Sequence, residues 1–314
     1  MADSDNDKQK QCESAPMISL DKALEIGANH IRQSRRKIAE QNPEFVVECA
    51  KNKLQEFTLV VCGGPRTGKS TLVNAIIDKE VAIVRPGFTP VTLENTCYKL
   101  EGTFPEIIDE QTGTKQNESQ PFQINIWDTK GIKTWDESIV KIIREYNPMC
   151  VILCSSPGSF ANDHFIEPLI QECVHLNVLV ALVCTNQWND SDSKRQKVMD
   201  EFHSLLKIYN KPIHEEDGIQ YFGDIGMIAM VNSVPYVNNR LGKYKSKSGV
   251  VNLLYGIMRS LSDEKLMGWC YTLIENERFW SQMQTKIQDF FAGKFTYGKS
   301  ILWSLSRAMT MTRK

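Results

Sequence analysis

An α/β fold of three layers, with a mostly parallel six-stranded sheet between helices, is predicted by three observations. Short, apolar, β-branched runs recur through the chain at 57–62, 95–100, 122–127, 149–154, 178–184 and 227–231. Stretches with apolar residues at helical spacing separate most of them, which is how parallel strands are connected. A glycine-rich turn, Gly63-Gly64-Pro65-Arg66-Thr67-Gly68, carries the first run straight into the first such stretch. Helical extensions are expected at both ends.

The composition permits such a fold and restricts what it can serve. At 314 residues, 41% hydrophobic and 24% charged, the chain reads as an ordinary soluble protein. Its net charge of −1 gives no global attraction to polyanions, and no specific nucleic acid is predicted. The polar, acidic start is unlike a signal sequence, and no apolar run is long enough for a membrane span, so a cytoplasmic location is expected. Nine cysteines, several of them in apolar runs, read as free thiols of a reducing compartment.

Taken in order, residues 1–17 are polar and predict a disordered tail. Residues 18–54 predict a helical extension. Leu20, Leu24, Ile31 and Ile38 lie near one stripe, His30, Arg32, Arg35, Arg36 and Lys37 make the other side basic, and Asn42-Pro43-Glu44 starts a second short helix. The stripe either packs on the rest of the protein or meets a partner or lipid surface. The main domain is expected over 55–235. Within it Arg85-Pro86-Gly87-Phe88-Thr89-Pro90 excludes regular structure, and 102–120 reads as an exposed loop. Helices are expected at 137–145, 164–175 and 194–209. Residues 236–248 read as a connecting loop, and 249–314 as a C-terminal helical region with a basic aromatic tail. Past Asp289 the chain has no acid, while Lys294, Lys299, Arg307, Arg313 and Lys314 fall among Phe290, Phe291, Phe295, Tyr297 and Trp303. Such a tail either packs inward or lies on an anionic surface.

Two motifs carry the chemistry. Gly63, Gly68, Lys69 and Ser70 fit G-x-x-x-x-G-K-[ST] between a strand and a helix. In that context the backbone N–H groups of 63–71, Thr67 and Thr71 included, surround phosphates. The lysine reaches the outer two, and the serine hydroxyl binds Mg²⁺. A later strand ends in Trp127-Asp128-Thr129-Lys130-Gly131, which places an acid and a glycine three apart at the same sheet edge. There Asp128 can bind Mg²⁺ through water and the Gly131 N–H can reach a γ-phosphate. Thr89 and Thr92 lie between the motifs, in a loop able to close on the metal.

This order resembles the translation-factor-related P-loop GTPases over about residues 55–235. Pro65, Pro86-Gly87-Phe88-Thr89 and Asp128-Thr129-Lys130-Gly131-Ile132 resemble the Era-like branch. Val91-Thr92 with Thr96-Cys97 and the late helices resemble the AIG1-type, immune-associated branch. The resemblance implies GTP/GDP and Mg²⁺ as ligands. Lys69 would bind the β- and γ-phosphates, Ser70 and Thr89 the metal, Asp128 its water shell and Gly131 the γ-phosphate, with Lys69, Thr89 and Gly131 serving the reaction. It also leaves open a homodimer through the nucleotide face, and a protein partner or peripheral membrane contact through the termini.

The sequence departs from the family pattern at three places. The base-reading Asn-Lys-x-Asp falls on Asn186-Gln187-Trp188-Asn189, so a carboxamide stands where a carboxylate accepts two N–H groups of guanine. Asp190 is the carboxylate that a one-residue shift would supply. Ile132 occupies the place of a water-orienting glutamine, which implies hydrolysis that is slow or that takes a group from elsewhere. Arg66 replaces an asparagine that in some relatives helps to hold a monovalent cation. Ser233, past the last strand, matches only the serine of a base-contacting loop. A switch with slow GTP turnover is the expectation. A nucleotide-binding scaffold that hardly hydrolyses, or an ATP-using P-loop enzyme, are the alternatives.

Overall fold

The computed structural model describes residues 54–84, 92–103, 121–132, 136–158 and 163–294, with backbone alone at 163–165, 263–264 and 292–294. Strand β1 (Gln55–Gly63) passes through the glycine turn into α1 (Lys69–Ile77), followed by β2 (Thr96–Thr103), β3 (Pro121–Asp128) and α2 (Glu137–Tyr146). Then come β4 (Cys150–Ser155), α3 (Asp163–His175), β5 (Leu179–Cys184) and α4 (Asp192–Leu206). The short strands β6 (His214–Glu216) and β7 (Ile219–Phe222) precede β8 (Gly226–Met230). A separate hairpin, β9 (Tyr236–Asn238) and β10 (Lys243–Lys245), leads to α5 (Val250–Ser260), α6 (Asp263–Thr272) and α7 (Glu277–Lys294).

The sheet has eight strands in the order β2-β3-β1-β4-β5-β8-β7-β6. Its middle is parallel, with β1 between β3 and β4, and β5 between β4 and β8. β2 joins β3 antiparallel, and β7 and β6 continue antiparallel from β8. All six expected strands are present, and the class is as predicted, but the sheet is larger and more mixed than the six strands read from the sequence. The addition is a hairpin whose turn is Asp217-Gly218, both residues at positive φ (54° and 75°). That is the backbone a two-residue hairpin turn demands. The span read as a connecting loop likewise contains the β9–β10 pair.

Residues alternate between two cores, as period-two strands dictate. Phe57, Leu59 and Val61 of β1 face α1 and α5–α7, where Leu72, Ile76, Leu254, Trp269, Phe279 and Phe291 are buried. Val60 and Cys62 face α2–α4, against Ile139, Ile143, Ile170, Val198 and Phe202. The three layers follow. Within the C-terminal helical region expected over 249–314, α6 and α7 are separated by a turn at Asn276, a buried residue that caps two helices. Its Nδ2 donates to the carbonyls of Ala75 (3.1 Å) and Ile76 (2.8 Å) at the end of α1, and its Oδ1 accepts from the Phe279 N–H (3.0 Å) at the start of α7. The C-terminal helices thereby grip the helix whose other end is the glycine turn. Phe291, counted with the tail by sequence, is fully buried in this core. The disordered tail 1–17, nearly all of the extension 18–54, and the tail residues beyond Lys294 lie outside the described residues. The described cysteines are free, and all but Cys97 are buried. Among the described residues no helix is long and apolar enough to cross a membrane.

Candidate functional site

The glycine turn is shaped by two positions where a side chain cannot fit. Gly63 has φ 135°, and a Cβ there would sit 2.1 Å from the Cys154 carbonyl oxygen of β4. At Gly131 a Cβ would lie 2.4 Å from Pro65 Cα and 2.6 Å from Pro65 N, so the loop after β3 rests directly on the turn. Backbone bonds fix the approach: the N–H of Thr129 donates to Val61 O (3.1 Å) and that of Ile132 to Gly63 O (3.0 Å). The two motifs therefore meet at one sheet edge, as their order implied.

At the start of α1 the N-cap is Gly68, at φ 77°, with no capping side chain and no acid in the first turn. The N–H groups of this turn have no carbonyl within the helix to bind, and the helix dipole adds positive potential, an arrangement suited to an anion. Lys69 is buried, and its ammonium donates to Gly64 O (2.9 Å). The Thr67 hydroxyl donates to the same oxygen (2.9 Å). Burial pushes the Lys69 ammonium below its ordinary value, opposed by Cys154 and Asp128. A lysine held on a carbonyl that has a second donor can leave it without stranding that carbonyl.

Beside Lys69 lies a cluster of oxygens. Ser70 Oγ donates to Asp128 Oδ2 (2.5 Å) and is 3.2 Å from Thr92 Oγ1. Asp128 is buried, and its other oxygen, Oδ1, has no hydrogen-bond partner among the described residues. Burial raises its carboxyl above the usual range, while the Ser70 bond, Lys69 and Thr92 pull it down. A carboxylate with one oxygen unpartnered, beside the Ser70 and Thr92 hydroxyls, is a donor set that suits a hard, oxygen-seeking cation such as Mg²⁺. Of the two threonines named by sequence, Thr92 stands here. Thr89 lies outside the described residues.

On the far side of the turn, the strand end of β5 supplies a second wall. The Thr185 hydroxyl lies against the carbonyls of Thr67 and Ser155, the latter at 2.9 Å, joining the glycine turn to β4 and β5. Sequence reading gave Thr185 no role, although a hydroxyl directly before Asn186 at a strand end was the available signal. Asn186 (φ 48°) places its carboxamide against Gly68, 3.2 Å from where a Cβ would be, and accepts the Asn189 N–H on its carbonyl (2.9 Å). Gln187 is buried, its Nε2 3.3 Å from Ser248 Oγ. Asn189 is exposed. Asp190 is also exposed, and its two oxygens accept from Lys194 Nζ (2.8 Å) and the Ser191 N–H (2.8 Å). Those bonds lower its carboxyl below the ordinary value, Lys194 first. A shift that turned Asp190 inward would have to break both. Ser233 is buried just after β8, and the neighbouring Asn232 exchanges backbone hydrogen bonds with Ser248 (2.8 and 3.0 Å). Arg66 takes a left-handed backbone, φ 65°. Ile132 is buried in the core that faces α2–α4, among residues such as Ile139 and Val60.

Residues 58–211 match a family model described as 50S ribosome-binding GTPase. GTPase Der of Thermotoga neapolitana is 25% identical over 155 residues, which are 49% of this chain and 32% of that one. GTPase Der of Thermotoga petrophila is 25% identical over 182 residues, 53% of this chain and 38% of its own. The chain thus spans well under half the length of these curated relatives. A solved structure of Era from Aquifex aeolicus bound to GDP·AlF4⁻ is similar over 57% of this chain and 52% of its own, with 17% identity and a TM-score of 0.34. None of these three relatives is an AIG1-type GTPase, so that side of the resemblance stays an expectation.

Proposed function

Residues 58–211 form a GTPase domain of the translation-factor-related P-loop class, and from that premise we propose that the protein binds GTP with Mg²⁺, hydrolyses it slowly and acts as a switch. The observation that carries this reading is the convergence of the uncapped α1 start, Lys69 and the Ser70–Asp128–Thr92 cluster at one sheet edge. Backbone N–H groups of 64–71 bind the phosphates, and Lys69 exchanges the Gly64 carbonyl for the outer two. Gly131 offers its N–H to the γ-phosphate, so the loop after β3 reports whether that group is present. Ser70, Asp128 and Thr92 would hold the Mg²⁺, with Thr89 a further candidate, and the ion when bound neutralises phosphate charge. Asn186, the 189–190 turn and Ser233 frame the base.

Slow turnover rests on Ile132, because a side chain directed into the core cannot orient a water. The same observation favours a second reading, a scaffold whose output is docking and which barely hydrolyses. A partner or membrane contact through the termini belongs to either reading, and so does a homodimer across the nucleotide face. The test is calorimetry of the nucleotide-free protein with GTP, GDP, ATP and XTP in Mg²⁺, with phosphate release followed in parallel. Tight guanine nucleotide binding that Lys69→Ala abolishes is expected. Preference for ATP, or hydrolysis unchanged in Lys69→Ala, would overturn the assignment. Tight binding with no phosphate release would select the scaffold.

A further inference from the structure

The β9–β10 hairpin lies in one of the long acid-free stretches of the chain. Between Asp224 and Asp263 there is no acidic residue, while Arg240, Lys243, Lys245 and Lys247 all fall on the hairpin or its flank, in a protein whose net charge is −1. All four are exposed. The pairing Val237↔Tyr244 puts these two side chains on one face, and Asn238↔Lys243 and Tyr236↔Lys245 put theirs on the other. On the second face Lys245 rests near the body, its Nζ 5.0 Å from the Trp188 ring, which Arg195 approaches at 4.8 Å, while Lys243, nearer the tip, is exposed. The first face is left in solvent. Val237 is 59% exposed and Tyr244 65%, and Leu241 at the tip is also 65% exposed.

We propose that this hairpin docks on an anionic lipid bilayer, with Leu241, Val237 and Tyr244 entering the interface and Arg240, Lys243 and Lys247 meeting the headgroups. Two exposed aliphatic side chains and a tyrosine, with exposed cations at the tip and along the flank of the same hairpin, are the composition of an interfacial anchor. Single-stranded nucleic acid is the less fitting polyanion, because bases stack on aromatic faces. Only Tyr244 of the three offers one, and Val237 and Leu241 would gain nothing. The hairpin is also tied to the base-framing turn through Ser248, which meets both Gln187 and Asn232. Docking is thus placed next to the nucleotide and not at a remote end of the molecule.

The experiment is flotation of the full chain with phosphatidylcholine vesicles, with and without phosphatidylserine, at low and physiological salt. Binding to the anionic vesicles alone, weakened by salt, is expected. Lys243→Ala with Lys247→Ala should reduce partitioning by about fivefold per cation removed. Leu241→Ser should reduce it with the cations intact. All three positions are exposed, and nucleotide affinity is expected to be unchanged in these variants, which checks their folding. Equal flotation of wild type and variants, or equal binding to neutral vesicles, would overturn the proposal. So would binding of a single-stranded oligonucleotide or an acidic peptide in the absence of vesicle binding.

Discussion

Replacing Gly131 by alanine tests whether the loop after β3 and the glycine turn act as one unit. The new methyl would lie 2.4 Å from Pro65 Cα and 2.6 Å from Pro65 N. Carbon atoms rest at about 3.5 Å, so roughly 1 Å of movement is needed. No flexible side chain can supply it, because the atoms in the way are the backbone and the rigid ring Cβ of Pro65, and the turn is pinned by Thr185. Overpacking of this kind costs about 1–3 kcal/mol. The strain falls on the Ile132 N–H to Gly63 O bond and on the turn's N–H groups. Carried into binding, it predicts a loss of about 10–100-fold in affinity for a γ-phosphate-bearing nucleotide. GDP should suffer less, since Gly131 serves the γ-phosphate. Calorimetry with a non-hydrolysable GTP analogue and with GDP, on wild type and Gly131→Ala, reads the difference. Equal affinities together with an unchanged melting temperature would refute the claim that the two motifs are in contact.

Three further outcomes follow from particular contacts. Burial holds the Asp128 carboxyl above the usual range, and a proton there competes with a cation. The Mg²⁺-dependent part of nucleotide affinity should therefore fall as pH is lowered through that raised value, before ordinary carboxylates protonate. Titrations across this range should show the fall in wild type and a small, pH-independent Mg²⁺ effect in Asp128→Asn. Asn276→Ala removes three hydrogen bonds, two of them buried, that cap α1 and α7 and should cost about 2–3 kcal/mol in chemical denaturation. An unchanged midpoint would mean that the double cap is dispensable. Asn189→Asp restores a carboxylate able to accept two guanine donors and should tighten guanine nucleotides by about tenfold or more over inosine nucleotides in competition binding. No change would place the base reader elsewhere, with Asp190 the next residue to replace.

What the sequence disclosed depended on how local each signal was. β4 and β5 are buried along their whole length, and such continuous apolar runs announce central parallel strands without help from their neighbours. β6, His214–Glu216, buries none of its residues and has no apolar alternation, so only the Asp217-Gly218 turn could have revealed it. The sheet is accordingly larger at that edge than the sequence implies: β6 faces solvent, and β7, though buried at Ile219, Tyr221 and Phe222, is only four residues long. The phosphate turn and the Asp128–Gly131 stretch were legible because each is contiguous.

The contacts that make those stretches a site join residues far apart in the chain. Ser70 meets Thr92, Gln187 meets Ser248, and Asn276 meets the end of α1 about two hundred residues earlier. No periodicity records such pairings, which exist only once the layers have packed. They also run in one direction. Asn276 fixes the far end of α1, the near end of α1 presents Lys69 and Ser70, and Ser70 reaches Asp128 in the strand whose loop rests on Pro65. A change in that loop on phosphate loss must therefore press on the turn or on α1 and the C-terminal helices that grip it. Hydrogen exchange in α7 should then differ between GDP-bound protein and protein bound to the GTP analogue, and that difference should vanish in Asn276→Ala. Identical α7 exchange in both wild-type states would show that the helices hold α1 without sensing the nucleotide.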